Sequence, residues 1–133
     1  MSTLSQILQQ QFGFSLFREG QEQTVSQLLN GQSSLAIFPT GSGKSLCYQL
    51  TATQLPHLTL VVSPLLALMK DQLSFLALNN ISAASIDSSQ SSQEQTEVMN
   101  QARSGEIKVL MISVERFKNE RFRQFISSVA ISM

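Results

Sequence analysis

Short apolar runs alternate with amphipathic stretches along this 133-residue chain, and the two periodicities predict strands and helices in turn. The apolar runs lie at residues 35–38, 59–62, 83–86 and 108–112, and the run at 59–62 is rich in β-branched residues, as buried strands are. Helical spacing is found at residues 4–12, 21–29, 44–53, 64–76, 94–103 and 120–128. Strands that alternate with helices are typical of an α/β fold with a parallel sheet flanked by helices, whose ligands bind at the carboxyl ends of the strands.

The last residues of the chain, 129–133, have the apolar character of one more buried strand. No turn or helix pattern follows them, so we expect a domain that is truncated within its sheet. An unpaired strand edge presents free N–H and C=O groups to other chains. We therefore expect self-association of the truncated fragment.

The segment from Phe38 to Ser45 carries the strongest chemical signal, because it follows a predicted strand and opens a predicted helix. In that setting, Gly41 and Gly43 let backbone N–H groups converge on phosphate oxygens at a helix N-terminus. Lys44 is placed to reach the β- and γ-phosphates, and the Ser45 hydroxyl to bind Mg²⁺. A Gly/Ser turn that only caps a helix is the alternative. The predicted nucleotide ligands are Thr40, Gly41, Ser42, Gly43, Lys44 and Ser45, the last two with catalytic roles.

Composition limits the partners of the chain. Nine basic and nine acidic residues give a net charge of zero, so any contact with nucleic acid has to be local. The single cysteine, Cys47, excludes an internal disulfide and a cysteine-based metal site, and its expected role is packing. The sequence shows neither a signal peptide nor an apolar run of membrane-spanning length. We expect no membrane partner and a cytoplasmic location, associated with the nucleoid if the source is bacterial.

Four segments, in this order along the chain, resemble motifs of the RecQ family of ATP-dependent DNA helicases. Residues 12–21 are similar to motif 0, residues 38–50 to motif I, and residues 62–72 to motif Ia. The sequence at residues 113–117 is similar to the family's Pro-Glu-Arg segment, with Val114 in place of proline. The resemblance covers essentially the whole chain. It implies a partial RecA-like P-loop NTPase domain, with all 133 residues forming the N-terminal portion of the first motor domain.

The same resemblance implies an adenine site built by three residues upstream of the phosphate loop. Gln21 would hydrogen-bond the adenine edge, because a carboxamide offers a donor and an acceptor, and Phe14 and Arg18 would flank the face of the base. Such a site would select ATP over GTP. Packing in the N-terminal core is the alternative for Phe14, and a plain surface position is the alternative for Arg18 and Gln21.

The resemblance also implies contacts to DNA phosphates at Ser63, Lys70 and Ser88. A phosphate contact positions a strand without reading its sequence. Helix capping by Ser63 and a solvated surface charge at Lys70 are the alternatives. Asp87 stands where the family has asparagine, and a carboxylate repels a DNA phosphate unless it caps a helix.

The implied function is that of the ATP-binding fragment of an ATP-dependent 3′–5′ DNA helicase acting in recombination and repair. Its cofactors would be ATP and Mg²⁺, and the partner of the parent protein would be single-stranded or forked DNA. The chain contains no Asp-Glu-Ala-His box, whose acids hold Mg²⁺ and orient water, so the fragment is expected not to hydrolyse ATP. A non-catalytic nucleotide-binding or interaction module, encoded as a short chain, is the alternative. A small-molecule kinase with the same loop would leave Gln21 and Ser63-Pro64 without a role.

Overall fold

The structure is a computed structural model, and it describes residues 3–37, 43–63 and 66–133. The backbone forms two compact units, Met1–Leu55 and Pro56–Met133. Each unit has buried apolar residues of its own. The assignment of the whole chain to the front of one motor domain stays a prediction.

The described part of the first unit contains three α-helices: α1 (Leu4–Ile7), α2 (Gln21–Leu29) and α3 (Lys44–Gln54). A π-helical turn, Leu8–Phe12, continues α1 and ends at Gly13, whose φ of 76° is left-handed. α2 and α3 pack against each other. The larger buried side chains of this unit are Leu8, Phe12, Val25, Leu46, Cys47 and Leu50. The three helices that the sequence predicts here are confirmed.

The strand predicted at residues 35–38 is not formed by the residues that the structure describes. Residues 32–37 have no regular structure, and Leu35 and Ile37 are 87% and 83% exposed. An apolar run becomes a strand only when a neighbouring strand pairs with its backbone, because strand preference is mostly a matter of packing. No strand within the described residues pairs with this segment. Phe38, at its end, lies outside the described residues.

The second unit is built around a parallel three-stranded sheet with the order β1, β3, β2. The strands are β1 (Thr59–Val62), β2 (Ala83–Ile86) and β3 (Val109–Ile112), and the predicted strands at these positions are confirmed. β3 lies in the middle, and all four of its residues are buried, as in central strands of parallel sheets. The register aligns the first residue of each strand, so the three carboxyl ends meet at one edge of the sheet.

The apolar end of the chain runs parallel to β1. The Leu60 N–H donates to the Met133 carbonyl oxygen at 2.8 Å, and Leu58 pairs with Ile131 in an isolated parallel bridge. The strand expected to begin at residues 129–133 is therefore seen as a bridge. Backbone pairing beside β1 is present, in the parallel direction that the α/β pattern predicts.

Three helices complete the described part of the second unit: α4 (Leu66–Leu78), α5 (Ser92–Ser104) and α6 (Glu120–Ser128). A 3₁₀ turn, Val114–Lys118, precedes α6. The core that these elements enclose includes Leu58, Ile86, Met99, Leu110, Ile112, Phe122 and Phe125. Within the described residues, no helix is both long and apolar enough to cross a membrane.

The start of α5 can be compared with the sequence prediction, whereas the predicted start of α4 cannot. α5 starts at Ser92, earlier than the predicted residue 94, because a capping box forms in front of it. Ser91 Oγ accepts a hydrogen bond from the Glu94 N–H at 3.1 Å, and Glu94 Oε1 accepts one from the Ser91 N–H at 3.1 Å. Pro64, where α4 is expected to open, lies outside the described residues.

Candidate nucleotide-binding site

The N-terminal end of α3 is the described part of the predicted phosphate loop. Gly43 immediately precedes the helix with a φ of 80°, a left-handed conformation that favours glycine. A Cβ at this position would lie 2.6 Å from Gln21 Nε2. A side chain at this position would be strained by the left-handed backbone, and the Gln21 carboxamide would have to shift to make room for it. The predicted ligands Thr40, Gly41 and Ser42 lie outside the described residues.

The first turn of α3 carries two of the predicted ligands, Lys44 and Ser45. Lys44 is exposed, so its ammonium group is open to a ligand, and Ser45 is half-buried. The N-terminus of a helix adds partial positive charge and free N–H groups. Ammonium and N–H donors suit a polyphosphate, and a hydroxyl oxygen suits Mg²⁺. These described residues fit a nucleotide with its metal ion.

Gln21, the first residue of α2, is tied to the phosphate loop. Its side chain is only 2% exposed, so the alternative of a plain surface position is wrong for this residue. Gln21 Oε1 accepts a hydrogen bond from the Arg18 N–H at 2.7 Å, and Gln21 Nε2 donates to the Gly43 carbonyl oxygen at 2.8 Å. A carboxamide has two N–H donors and two oxygen lone pairs. These two bonds use one donor and one lone pair, and one of each is left. The role of Gln21 toward adenine stays a prediction.

The two residues predicted to flank the base lie in different surroundings. Arg18 is exposed, and its Cδ is 3.7 Å from the position of a Cβ on Gly43, so the arginine stem lies beside the phosphate loop. Phe14 is 45% exposed, which removes core packing as an explanation for it. The structure thus brings Arg18, Gln21 and Gly43 together. Stacking of Phe14 or Arg18 on a base stays a prediction.

The contact between Gln21 and Gly43 has no counterpart in the sequence reasoning. The two residues are 22 positions apart, and no periodicity links them. The nearest signal is the resemblance of residues 12–21 to motif 0, which implies a contact between Gln21 and adenine. That resemblance does not indicate a bond between Gln21 and Gly43.

Packing between α2 and α3 supports the site. Thr24 is buried, and its hydroxyl donates to the Gly20 carbonyl oxygen at 2.8 Å. Burial raises the pKa of the Cys47 thiol, while a backbone hydrogen bond and one with Thr24 lower it in part. Cys47 is 4% exposed and remains a neutral thiol, which agrees with the packing role predicted for it.

The residues predicted to contact DNA lie in the second unit. Ser63 follows β1, is half-buried, and donates its N–H to the Ile112 carbonyl oxygen at 2.9 Å. Ser88 is exposed in the turn that follows β2. Since β1 and β2 end at the same edge of the sheet, both serines lie at that edge. Lys70 is exposed on α4. Contacts of these residues with DNA stay predictions.

Asp87 is directed into the turn after β2. Its Oδ1 accepts hydrogen bonds from the Ser89 N–H at 2.8 Å and from the Ser89 hydroxyl, and its Oδ2 accepts one from the Ser85 hydroxyl at 3.1 Å. Burial alone would raise the pKa of the Asp87 carboxyl, but the hydrogen bonds from Ser89 and Ser85 and the charge of Lys70 outweigh it and lower the pKa. The carboxylate therefore caps a turn rather than a helix.

No group of three or more His, Cys, Asp or Glu side chains within the described ranges could hold a metal ion. At the nucleotide site, Ser45 is the described residue predicted to hold Mg²⁺, an ion that few protein groups bind together with substrate phosphates.

Comparison with known proteins places these residues in a wider context. Residues 18–131 match the family model described as DEAD/DEAH box helicase. The chain is 45% identical to the ATP-dependent DNA helicase RecQ of Haemophilus influenzae over 125 residues, which are 94% of this chain and 20% of that protein. It is 44% identical to the RecQ of Pasteurella multocida, covering 98% of this chain and 21% of that protein. The ATP-dependent DNA helicase Q-like 5 of Arabidopsis thaliana is also 44% identical, over 98% of this chain and 14% of that protein.

The chain thus spans about a fifth of the length of the curated RecQ relatives that it matches. Among solved structures, a hypothetical ATP-dependent RNA helicase from Sulfolobus tokodaii superposes with a TM-score of 0.70 and 22% sequence identity, covering 95% of this chain and 38% of that one. At this identity the likeness shows the fold alone. The parallel, RecA-like α/β fold class and the resemblance to RecQ helicases are both confirmed.

Proposed function

Because the chain belongs to the DEAD/DEAH box helicase family, we propose that it is the ATP-binding front part of a RecQ-type, ATP-dependent 3′–5′ DNA helicase. The observation that carries the proposal is the hydrogen-bonded link from Arg18 through Gln21 to Gly43. This link joins the segment resembling motif 0 to the start of the nucleotide-binding helix. A loop that only capped α3 would have no need of it.

In the proposed site, the residues of the α3 N-terminus bind and orient the polyphosphate. The backbone at Gly43 would lie next to the phosphates, and the Lys44 ammonium would balance their negative charge. The Ser45 hydroxyl would hold Mg²⁺, which offsets phosphate charge when it is bound. Gln21 fixes the Gly43 carbonyl, and its remaining N–H and lone pair are the groups proposed to meet adenine.

Phosphoryl transfer to water needs more than these residues supply. A helicase of this kind also uses a carboxylate that orients the attacking water and an arginine finger, each worth orders of magnitude in rate. The 133 residues contain no Asp-Glu-Ala-His sequence. We infer that they bind ATP and do not turn it over on their own.

The proposed DNA contacts lie in the second unit, at Ser63, Lys70 and Ser88. Their hydroxyl and ammonium groups would meet phosphate oxygens, which orients a strand without selecting its sequence. Because the net charge of the chain is zero, such binding would depend on these local contacts and would weaken with added salt.

The experiment measures ATP binding and ATP hydrolysis by the 133-residue chain, with and without single-stranded DNA. Lys44→Ala should abolish ATP binding, whereas Lys118→Ala, which removes another exposed lysine, should leave it intact. We expect binding without turnover. Absence of ATP binding by the unchanged chain would contradict the proposal, and Lys44-dependent turnover would show that a catalytic carboxylate lies within these 133 residues.

A further inference from the structure

The turn after β2 is held by one buried acidic side chain. Asp87 is 9% exposed, and both of its carboxylate oxygens accept hydrogen bonds, from Ser89 on one side and Ser85 on the other. An aspartate that accepts from the backbone N–H two residues ahead forms a local turn that mimics a backbone turn. The carboxylate therefore fixes the path of the chain across Ser88.

The backbone of Asp87 is held as well. Its N–H donates to Gln90 Oε1 at 3.2 Å, and its carbonyl oxygen accepts from Gln95 Nε2 at 3.0 Å. Gln90 Nε2 in turn donates to the Ser85 carbonyl oxygen at 2.8 Å, which ties the turn back to β2. With its side chain, N–H and carbonyl all engaged, Asp87 has one defined position. Ser88, at the tip of the turn, is exposed.

The negative charge of Asp87 is compensated locally. Its three donors come from Ser85 and Ser89, and the charge of Lys70 is the smallest of the effects that lower the pKa of its carboxyl group. A carboxylate whose charge is met by directed donors repels an approaching phosphate less than a free one does. Aspartate at this position is therefore compatible with a DNA contact at Ser88.

We propose that Asp87 is a positioning residue for DNA binding, which locks the turn so that the exposed Ser88 hydroxyl meets a backbone phosphate. The inference rests on the proposed DNA-binding function of the chain. Under this proposal, the aspartate, which departs from the family's asparagine, contributes to the DNA contact. Asp87 acts through Ser88 and does not itself touch the strand.

The test is a double-mutant cycle on DNA affinity, measured by fluorescence anisotropy with a labelled oligothymidylate at constant salt. Ser88→Ala should weaken binding about threefold to tenfold, the usual effect of losing one hydrogen bond. Asp87→Ala should weaken it by a similar factor. If Asp87 acts through Ser88, the double variant should be no weaker than either single variant.

Two further variants separate positioning from charge. Asp87→Asn keeps an acceptor oxygen for Ser89 and removes the charge, so positioning predicts affinity close to that of the unchanged chain. Ser89→Ala removes a donor to the carboxylate without changing the charge, and it should weaken binding only when Ser88 is present. Ser127→Ala, at an exposed serine on α6, is the matched control and should have no effect.

The possible outcomes are distinct. Additive losses at Asp87 and Ser88, or tighter binding by both Asp87→Ala and Asp87→Asn, would overturn the proposal and indicate simple repulsion. If Asp87→Ala does not fold, the Ser89→Ala and Ser88→Ala cycle decides the question on its own. If the unchanged chain binds ATP but no oligothymidylate, the DNA part of the proposed function fails and this proposal fails with it.

Discussion

Two glycines with nearly the same backbone show what the nucleotide site demands of a single residue. Gly43 and Gly31 have φ values of 80° and 78°. A Cβ on Gly43 would lie 2.6 Å from Gln21 Nε2, whereas a Cβ on Gly31 would meet nothing within 4 Å. The left-handed backbone is thus common to both positions. The crowding by a hydrogen-bonded side chain belongs to Gly43.

Replacing each glycine by alanine separates these two effects. Gly31→Ala should cost about 1–2 kcal/mol in the free energy of unfolding, the strain of a left-handed alanine, and leave ATP affinity unchanged. Gly43→Ala should cost more, because Gln21 must also give up its bond to the Gly43 carbonyl, and ATP affinity should fall at least about tenfold. Urea denaturation and titration with a fluorescent nucleotide measure the two quantities. Equal effects of the two variants on ATP affinity would contradict the role given to Gln21.

Asp87 makes the free energy of unfolding depend on pH, and the hydrogen bonds to its carboxylate set the direction of that dependence. Its folded pKa lies below the ordinary value of 3.8, so the carboxylate stabilises the fold above that value, and this contribution is lost as the pH falls through the lowered folded pKa. The difference in unfolding free energy between the unchanged chain and Asp87→Asn should therefore be largest near neutral pH and shrink below about pH 4. Asp71→Asn, at an exposed carboxylate on α4, controls for loss of a charge. A difference that grows on acidification would refute this assignment.

At the scale of elements, helix ends depend on one or two polar side chains. The capping box of Ser91 and Glu94 satisfies N–H groups at the start of α5 that no carbonyl of the helix can reach. Ser91→Ala should lower the free energy of unfolding by about 1 kcal/mol. Ser104→Ala, at the other end of the same helix, should have a much smaller effect. Circular dichroism during urea denaturation gives both values, and equal losses would argue against the capping box.

Elements whose signals are local could be predicted from the sequence, and those whose stability depends on a partner could not. α2 has the predicted bounds of residues 21–29, and α6 those of residues 120–128, because periodicity and end residues lie within each segment. β1 and β2 were also predicted correctly. The segment 35–37 has the same apolar character, yet no described strand pairs with it. Pairing is a property of the neighbour, which the segment's own residues do not encode.

In the candidate site, too, local signals could be read from the sequence and contacts between distant residues could not. Gly43, Lys44 and Ser45 can be proposed as phosphate ligands from the sequence because they are adjacent in a motif whose chemistry depends on short spacing, and that role stays a prediction. The bond between Gln21 and Gly43 was not predictable, since it spans 22 residues and requires a folded contact between α2 and α3. Asp87 was predictable as a departure from the family pattern. Its inward direction depends on the hydroxyls of Ser85 and Ser89.

At the scale of the whole molecule, the two proposed activities belong to different compact units. The residues proposed to bind nucleotide lie in Met1–Leu55, and those proposed to contact DNA lie in Pro56–Met133. Substitutions at Gly43 and at Ser88 should therefore affect ATP and DNA binding separately in this chain.

The exposed segment around Leu35 and Ile37 bears on how whole molecules associate. The two side chains are 87% and 83% exposed, and their positions alternate as those of strand residues do. The net charge of the chain is zero, so there is no general charge repulsion between copies. We propose that the chain self-associates through this segment, giving a dimer whose population rises with concentration. In sedimentation velocity, Leu35→Ser with Ile37→Thr should shift the chain to monomer, whereas Leu78→Ser, at an equally exposed leucine ending α4, should not. A monomer at every concentration of the unchanged chain would rule out this association, because the exposed apolar segment would then have no affinity for a second copy.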